Sequence, residues 1–159
     1  MRDAPWLAAT ERFVSSCERQ ARKTAEILAR GRPVTAREAM GENERSATGF
    51  LPPEAFERMA DRFFAAPEDS ASGWERAVDA QARIVSAADE ALRQHSGRIV
   101  LCGHGAVGTL LRCRLAGLAI ARRHDQPAGG GNAYAFRRTG EVLTPWTPIE
   151  ETRGWDWTG

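Results

Sequence analysis

The stretch from Gly97 to Gly117, GRIVLCGHGAVGTLLRCRLAG, constrains the fold more than any other part of the chain. Arg98-Ile99-Val100-Leu101-Cys102 is short, almost wholly apolar and rich in β-branched residues. Such a run fits a strand buried on both faces, as in a parallel sheet. Gly103-His104-Gly105 follows at once, and then Val107, Leu110, Leu111, Leu115 and Leu118 recur at helical spacing. The pattern is strand, glycine-flanked histidine, helix. In an open α/β sheet, ligands bind at the carboxyl ends of strands, where helices begin. Free amides and the positive end of the helix dipole make that spot an anion site. A histidine placed there adds charge, a hydrogen bond or a proton. The plain alternative is a core histidine between two permissive glycines.

The chain has 159 residues, enough for one domain with a real core. It carries 22 basic and 21 acidic residues, a net charge of +1. That balance, with no basic tail, argues against nucleic acid as a partner. Lys23 is the single lysine and every other basic side chain is an arginine. Codon bias in a GC-rich bacterial genome explains this, and so would phosphate recognition by the guanidinium fork. Cys17, Cys102 and Cys113 form no CxxC pair and no metal-ligand spacing with the histidines, so no metal and no cofactor is expected. Sparse, odd-numbered cysteines point to a reducing compartment. No apolar run is long enough to span a membrane, and MRDAPWLAAT holds no apolar signal segment. A cytoplasmic protein is expected.

In chain order, Pro5-Trp6-Leu7 is apolar and needs a cover. Glu11 to Ser16 reads as a short strand ending in two serines. Ser15 and Glu18 have capping-box spacing, and Ala21, Thr24, Ala25 and Leu28 share one face of the helix that follows. Gly31 stops that helix and Pro33 lies beyond it. Val34 to Met40 reads as a second strand. Gly41 to Gly49 is a polar loop that carries Glu42, Glu44 and Arg45, and such loops serve either as solvated connections or as carriers of catalytic groups. Pro52-Pro53 opens a helix with Phe56, Met59, Ala60 and Phe63 on its buried face. Ser72-Gly73-Trp74-Glu75 has capping-box spacing and predicts the start of the longest helix, running to about His95. Its face is Trp74, Ala77, Val78, Ile84, Val85, Ala88 and Leu92. His95 in the last turn complements the helix dipole. Asn132 to Arg138 and Glu141 to Trp146 read as a hairpin. The expected architecture is one α/β domain over residues 1–150, with a polar tail at 151–159 holding Trp155 and Trp157.

Two segments together are more specific than either alone. FVSSCERQARKTAEIL, residues 13–28, resembles the second motif of the histidine phosphatase superfamily, the phosphoglycerate-mutase-like proteins, whose usual form is a strand ending VxSSPLxRAxQTAE. Ile99 to Gly105 resembles that superfamily's later strand ending in VxxHG. The resemblance covers nearly the whole chain. It implies a three-layer α/β/α fold with a mostly parallel central sheet, and metal-independent hydrolysis of a phosphomonoester through a phosphohistidine. One histidine, in an RHG motif on the first strand, attacks phosphorus. Arginines and a second histidine stabilise the phosphoryl oxygens. A carboxyl group protonates the leaving oxygen and then activates water. By position, His104 is the second histidine. Glu44, in Asn43-Glu44-Arg45, resembles the mutase branch's NER segment and is the first candidate for the acid, with Glu42 the alternative. Ser15, Gln20, Arg45 and Gly105 fall at the phosphate-binding positions. The implied partner is a small phosphorylated substrate or a phosphoprotein.

The departures from the pattern matter. No RHG-like motif precedes Ser15-Ser16, and Gln20 stands where the motif has an arginine. Arg123-His124-Asp125 follows the second histidine motif and lacks the glycine, so it is rejected as the nucleophile. The first strand and its histidine are therefore expected to be missing. Its absence would expose sheet edges that can pair with another chain, which allows a homodimer. Two explanations stand: a start assigned too far downstream, or a degenerate, non-catalytic member that binds phosphorylated ligands or a partner subunit.

Overall fold

The computed structural model describes residues 4–156. Three strands form one parallel sheet: β1 (Arg12–Ser16), β2 (Val34–Arg37) and β3 (Ile99–Cys102), in the order β2-β1-β3. Phe13 lies opposite Val34 on one side and Val100 on the other, and Ser15 lies opposite Ala36 and Cys102. Successive side chains on a strand point to opposite faces, and β1 uses both. Phe13 packs with Leu7 of the short helix α1 (Pro5–Ala8) and with Ala25, Leu28 and Ala29 of α2 (Arg19–Ala29). Val14 packs on the opposite side. It meets Phe63 and Phe64 of α3 (Pro53–Ala65), Ile84 and Ala88 of α4 (Ala77–Gln94), and Val107 and Leu110 of α5 (Gly105–Leu115). Helices thus cover both faces of the sheet, the three-layer α/β/α arrangement.

β3 is less buried than its sequence suggests. Ile99, Val100 and Leu101 are only half-buried. Among the described residues β3 pairs with β1 alone, so its other edge carries no strand. The second predicted strand is also shorter than expected: pairing stops at Arg37, and Glu38–Met40 form a single 3-10 turn.

Both predicted capping boxes are corrected. α2 is capped at Glu18, whose N–H donates to Ser16 Oγ at 3.2 Å; Ser15 plays no part. α4 begins at Ala77, and Ser72 and Gly73 lie before it with φ of 53° and 87°. Glu75 cannot close a capping box, because its N–H donates to the Glu44 carbonyl and its carboxylate binds Arg83. Trp74 still packs in the core, ahead of the helix instead of on it. Leu118 falls beyond the end of α5 and is 39 % exposed.

The predicted hairpin pairs mainly at its ends. β4 (Asn132–Ala133) runs antiparallel to β5 (Thr147–Pro148), with one further bridge between Phe136 and Val142. It docks on α5 through Tyr134, whose hydroxyl donates to the Gly108 carbonyl at 3.1 Å and whose ring meets Trp146 edge-on. Residues Ile149–Gly154 form a 3-10 helix that returns to α1. There Thr152 is fully buried, and its carbonyl accepts the Trp6 indole N–H at 3.1 Å. That contact covers Trp6, while Leu7 is buried in the core and Pro5 stays exposed. Trp157 lies outside the described residues.

Leu110 has no exposed surface and joins α5 to α4 and β1. Leu110→Ala is expected to cost about 2–5 kcal/mol, read from urea denaturation. Ile27→Ala, at a position 75 % exposed, should stay within about 0.5 kcal/mol of the parent.

Candidate functional site

β1 and β3 end at the same edge of the sheet, and the site is built there. The backbone leaves β3 through Gly103, and His104 takes the N-cap position of α5 in extended conformation. A side chain at Gly105 would meet the Gln126 side chain, whose amide would have to swing aside. The His104 side chain is 10 % exposed. Its Nε2 lies 2.7 Å from Ser16 Oγ and 3.4 Å from Glu18 Oε1. Ser16 lies on the same face of β1 as Val14, toward α5.

Ser15 points the other way. It is fully buried, and its hydroxyl has no hydrogen-bond partner. The strand period therefore separates two adjacent serines, and only Ser16 reaches His104. Gln20 sits on an exposed turn of α2. The geometry places neither Ser15 nor Gln20 in contact with His104.

Of the two loop carboxylates, Glu42 enters the site. Its Oε1 accepts the Val107 N–H at 3.2 Å and its Oε2 accepts the Ala106 N–H at 3.4 Å. These are free amides of the first turn of α5, where the helix dipole favours an anion. Its backbone N–H donates to Glu18 Oε1 at 2.8 Å, which links the loop to the carboxylate beside His104. Glu44 instead faces solvent. Its Oε1 accepts the Ser46 N–H at 2.6 Å. Hydrogen bonds from the Ser46 side chain and backbone hold its carboxyl below the usual range.

A cleft of about 420 Å³ opens beside Glu42, Gly105 and Ala106. Phe56, Phe63, Phe64 and Trp74 supply its apolar lining, while Arg45, Arg122 and Asp125 line it with charge. Arg45 is exposed, and its guanidinium lies 5.1 Å from the Phe56 ring centre. Arg122 is engaged by Glu57 at 2.6 Å and by Asp125 at 3.4 Å.

The other two histidines lie elsewhere. His95 caps the end of α4 and precedes β3, whereas His104 follows it. His124 does not line the cleft, although Arg122 and Asp125 beside it do. Burial, together with Arg123 and Arg112, pushes its imidazole pKa down. Among the described residues no group of three His, Cys, Asp or Glu side chains is placed to hold a metal ion, and no helix is long and apolar enough to cross a membrane.

The residues that sequence reasoning missed are Ser16, Glu18 and Arg83. Alternation along β1 carried a signal for Ser16. Glu18 and Arg83 carried none, because their roles depend on where the 38–44 loop folds. Chemically, the arrangement joins an imidazole, a free helix N-terminus and a carboxyl on a cleft wall. It can hold an oxyanion and move a proton.

The sequence profile of the histidine phosphatase superfamily (branch 1) matches residues 2–146. No curated protein matches in sequence. Among solved structures, Bacillus stearothermophilus YhfR superposes with a TM-score of 0.67 at 22 % identity, covering 84 % of this chain and 71 % of that one. Mycobacterial glucosyl-3-phosphoglycerate phosphatase bound to inorganic phosphate gives 0.65 at 19 % identity, covering 89 % and 80 %. A further mycobacterial structure, hydrolase 2, gives 0.63 at 20 % identity, covering 89 % and 70 %. At these identities the likeness is one of fold. The profile match spans nearly the whole sequence and agrees with the order of strands, helices and histidine motif, and on that ground the chain belongs to the histidine phosphatase superfamily.

Proposed function

We propose that this domain binds the phosphoryl group of small phosphomonoesters at His104 and takes part in metal-independent phosphoryl transfer. The observation that carries the reading is the nearly buried imidazole of His104 at the N-terminus of α5, linked through Glu18 to Glu42, which lines an open cleft. His104 is the group that stabilises the phosphoryl oxygens. Glu42 is the proton carrier. It donates to the leaving oxygen as the ester bond breaks and later takes a proton from attacking water. Glu44 is unsuited to that task, since its carboxyl is held ionised by Ser46 and faces away. The order of the two carboxyls expected from the NER resemblance is therefore reversed in this proposal.

A second reading has its own support. The described residues bring no other imidazole beside His104. That favours binding of phosphorylated ligands without turnover, against the repulsion that the Glu18 carboxylate adds beside His104.

Two measurements test these readings. Phosphate at millimolar concentration should shift the His104 imidazole NMR signals and leave those of His95 in place; an unmoved His104 would sink the proposal. The 159-residue chain should form no phosphoenzyme and hydrolyse p-nitrophenyl phosphate no faster than His104→Ala. His104-dependent turnover would instead make His104 itself the nucleophile. In any active form, Glu42→Gln should lower the rate about 100- to 10,000-fold and Glu44→Gln far less.

The carboxyl titration of Glu44 gives a further check. Because folding depresses its pKa, the stabilisation from its Ser46 contacts is present at neutral pH and lost as pH falls through the folded value. Ser46→Ala should move the Glu44 midpoint upward, toward an ordinary glutamate, in carbon-detected NMR. A midpoint that stays in place would show that the serine hydroxyl does not set it.

A further inference from the structure

Glu18, Glu75 and, with the most bonds, Arg83 fasten the loop that carries Glu42. Arg83, on α4, uses all five of its N–H donors. Nη1 donates to the carbonyls of Ala39 and Gly41, both at 2.9 Å. Nη2 donates to the Glu42 carbonyl at 3.2 Å and to Glu75 Oε2 at 2.8 Å. Nε donates to Glu75 Oε1 at 3.0 Å. Glu75 completes the staple from the other side. Its Oε2 accepts the Glu44 N–H at 3.1 Å, and its own N–H donates to the Glu44 carbonyl at 2.8 Å. A guanidinium whose five donors are all occupied has none left for a ligand. Its work here is on the loop backbone up to the Glu42 carbonyl, while Glu75 holds the Glu44 side.

We propose that Arg83 is the positioning residue that holds the Glu42 carboxyl on the first turn of α5. The inference rests on the assignment of Glu42 as proton carrier. It follows from the count of bonds: Arg83 takes three carbonyls of the loop, Glu18 holds a single N–H, that of Glu42, and the side-chain contacts of Glu42 to Ala106 and Val107 are long, at 3.4 and 3.2 Å. Lysine cannot substitute, because a point charge with three donors cannot span three carbonyls and a carboxylate in one plane.

The test reads the Ala106 and Val107 amides by proton–nitrogen NMR at neutral pH. Both should move away from their parent positions in Glu42→Gln, which replaces the carboxylate they donate to. Arg83→Met should move them toward the Glu42→Gln positions, and Arg83→Lys part of the way. Ile84→Ala, a destabilising change on the same helix, should leave them in place. The proposal is overturned if Arg83→Met keeps the parent positions, or if Ile84→Ala moves them equally. If Arg83→Met does not fold, Arg83→Lys decides, and full parent positions in that variant overturn the proposal. Amides that ignore Glu42→Gln also overturn it. Phosphate binding at His104 is read separately, so its failure removes the phosphoryl reading while leaving the Arg83 result standing.

Discussion

β1 is hydrogen-bonded on both sides, to β2 and to β3, and the site hangs from its carboxyl end. Parallel pairing makes all three strands finish at the same edge. The register that sets Ser15 opposite Cys102 brings Ser16 level with the turn after β3. From there the chain needs only Gly103 to deliver His104 to the start of α5. Ser16 can therefore meet His104 at 2.7 Å, although the two are remote in sequence. A slip of one residue in this ladder would turn Ser16 to the α2 face and dissolve the contact.

The second organising feature is electrostatic. Glu42 is an internal anion seated on the helix terminus that an external anion would use. Carboxylates at such a position gain on the order of 0.3–1 kcal/mol from the dipole. A phosphoryl group arriving at the same amides has to share or displace that carboxylate. The two backbone N–H groups at the α5 terminus thereby set Glu42 and an external anion in competition for one place. Two of the nearby arginines are engaged by the protein itself, Arg83 on the 38–44 loop and Arg122 by Glu57 and Asp125. Arg45 is the exposed arginine of the cleft, stacked over the Phe56 ring.

Much of the architecture was legible because period and punctuation carry it. The β-branched run before Gly103, the stripe of Val107, Leu110 and Leu111, and the glycines around His104 each specify a local conformation without help from elsewhere. The capping boxes misled for the opposite reason. Ser72-x-x-Glu75 has the right spacing, yet tertiary contacts with Glu44 and Arg83 claim both hydrogen-bonding ends of Glu75. The choice between Glu42 and Glu44 was equally hidden. Two carboxylates in one irregular loop differ only in which way the loop turns, and that is decided by Arg83 on a helix far along the chain. Adjacent Ser15 and Ser16 lie between these cases: the motif points to the pair, and the alternation of the strand selects the second.

The central position of β1 also has a kinetic side. Arg12, near the start of the chain, completes its ladder only with Ile99, well past the middle. β2 can pair early, because one helix and a short turn separate it from β1. The other edge of β1 must wait until α3 and α4 have been made and β3 has followed them. During synthesis a half-paired strand is therefore held open while residues 38–98 are made, and closing it carries the loop-closure entropy of the intervening segment. α4 and α5 form through local contacts on either side of β3, so the pairing of β3 with β1 is the long-range closure of this sheet.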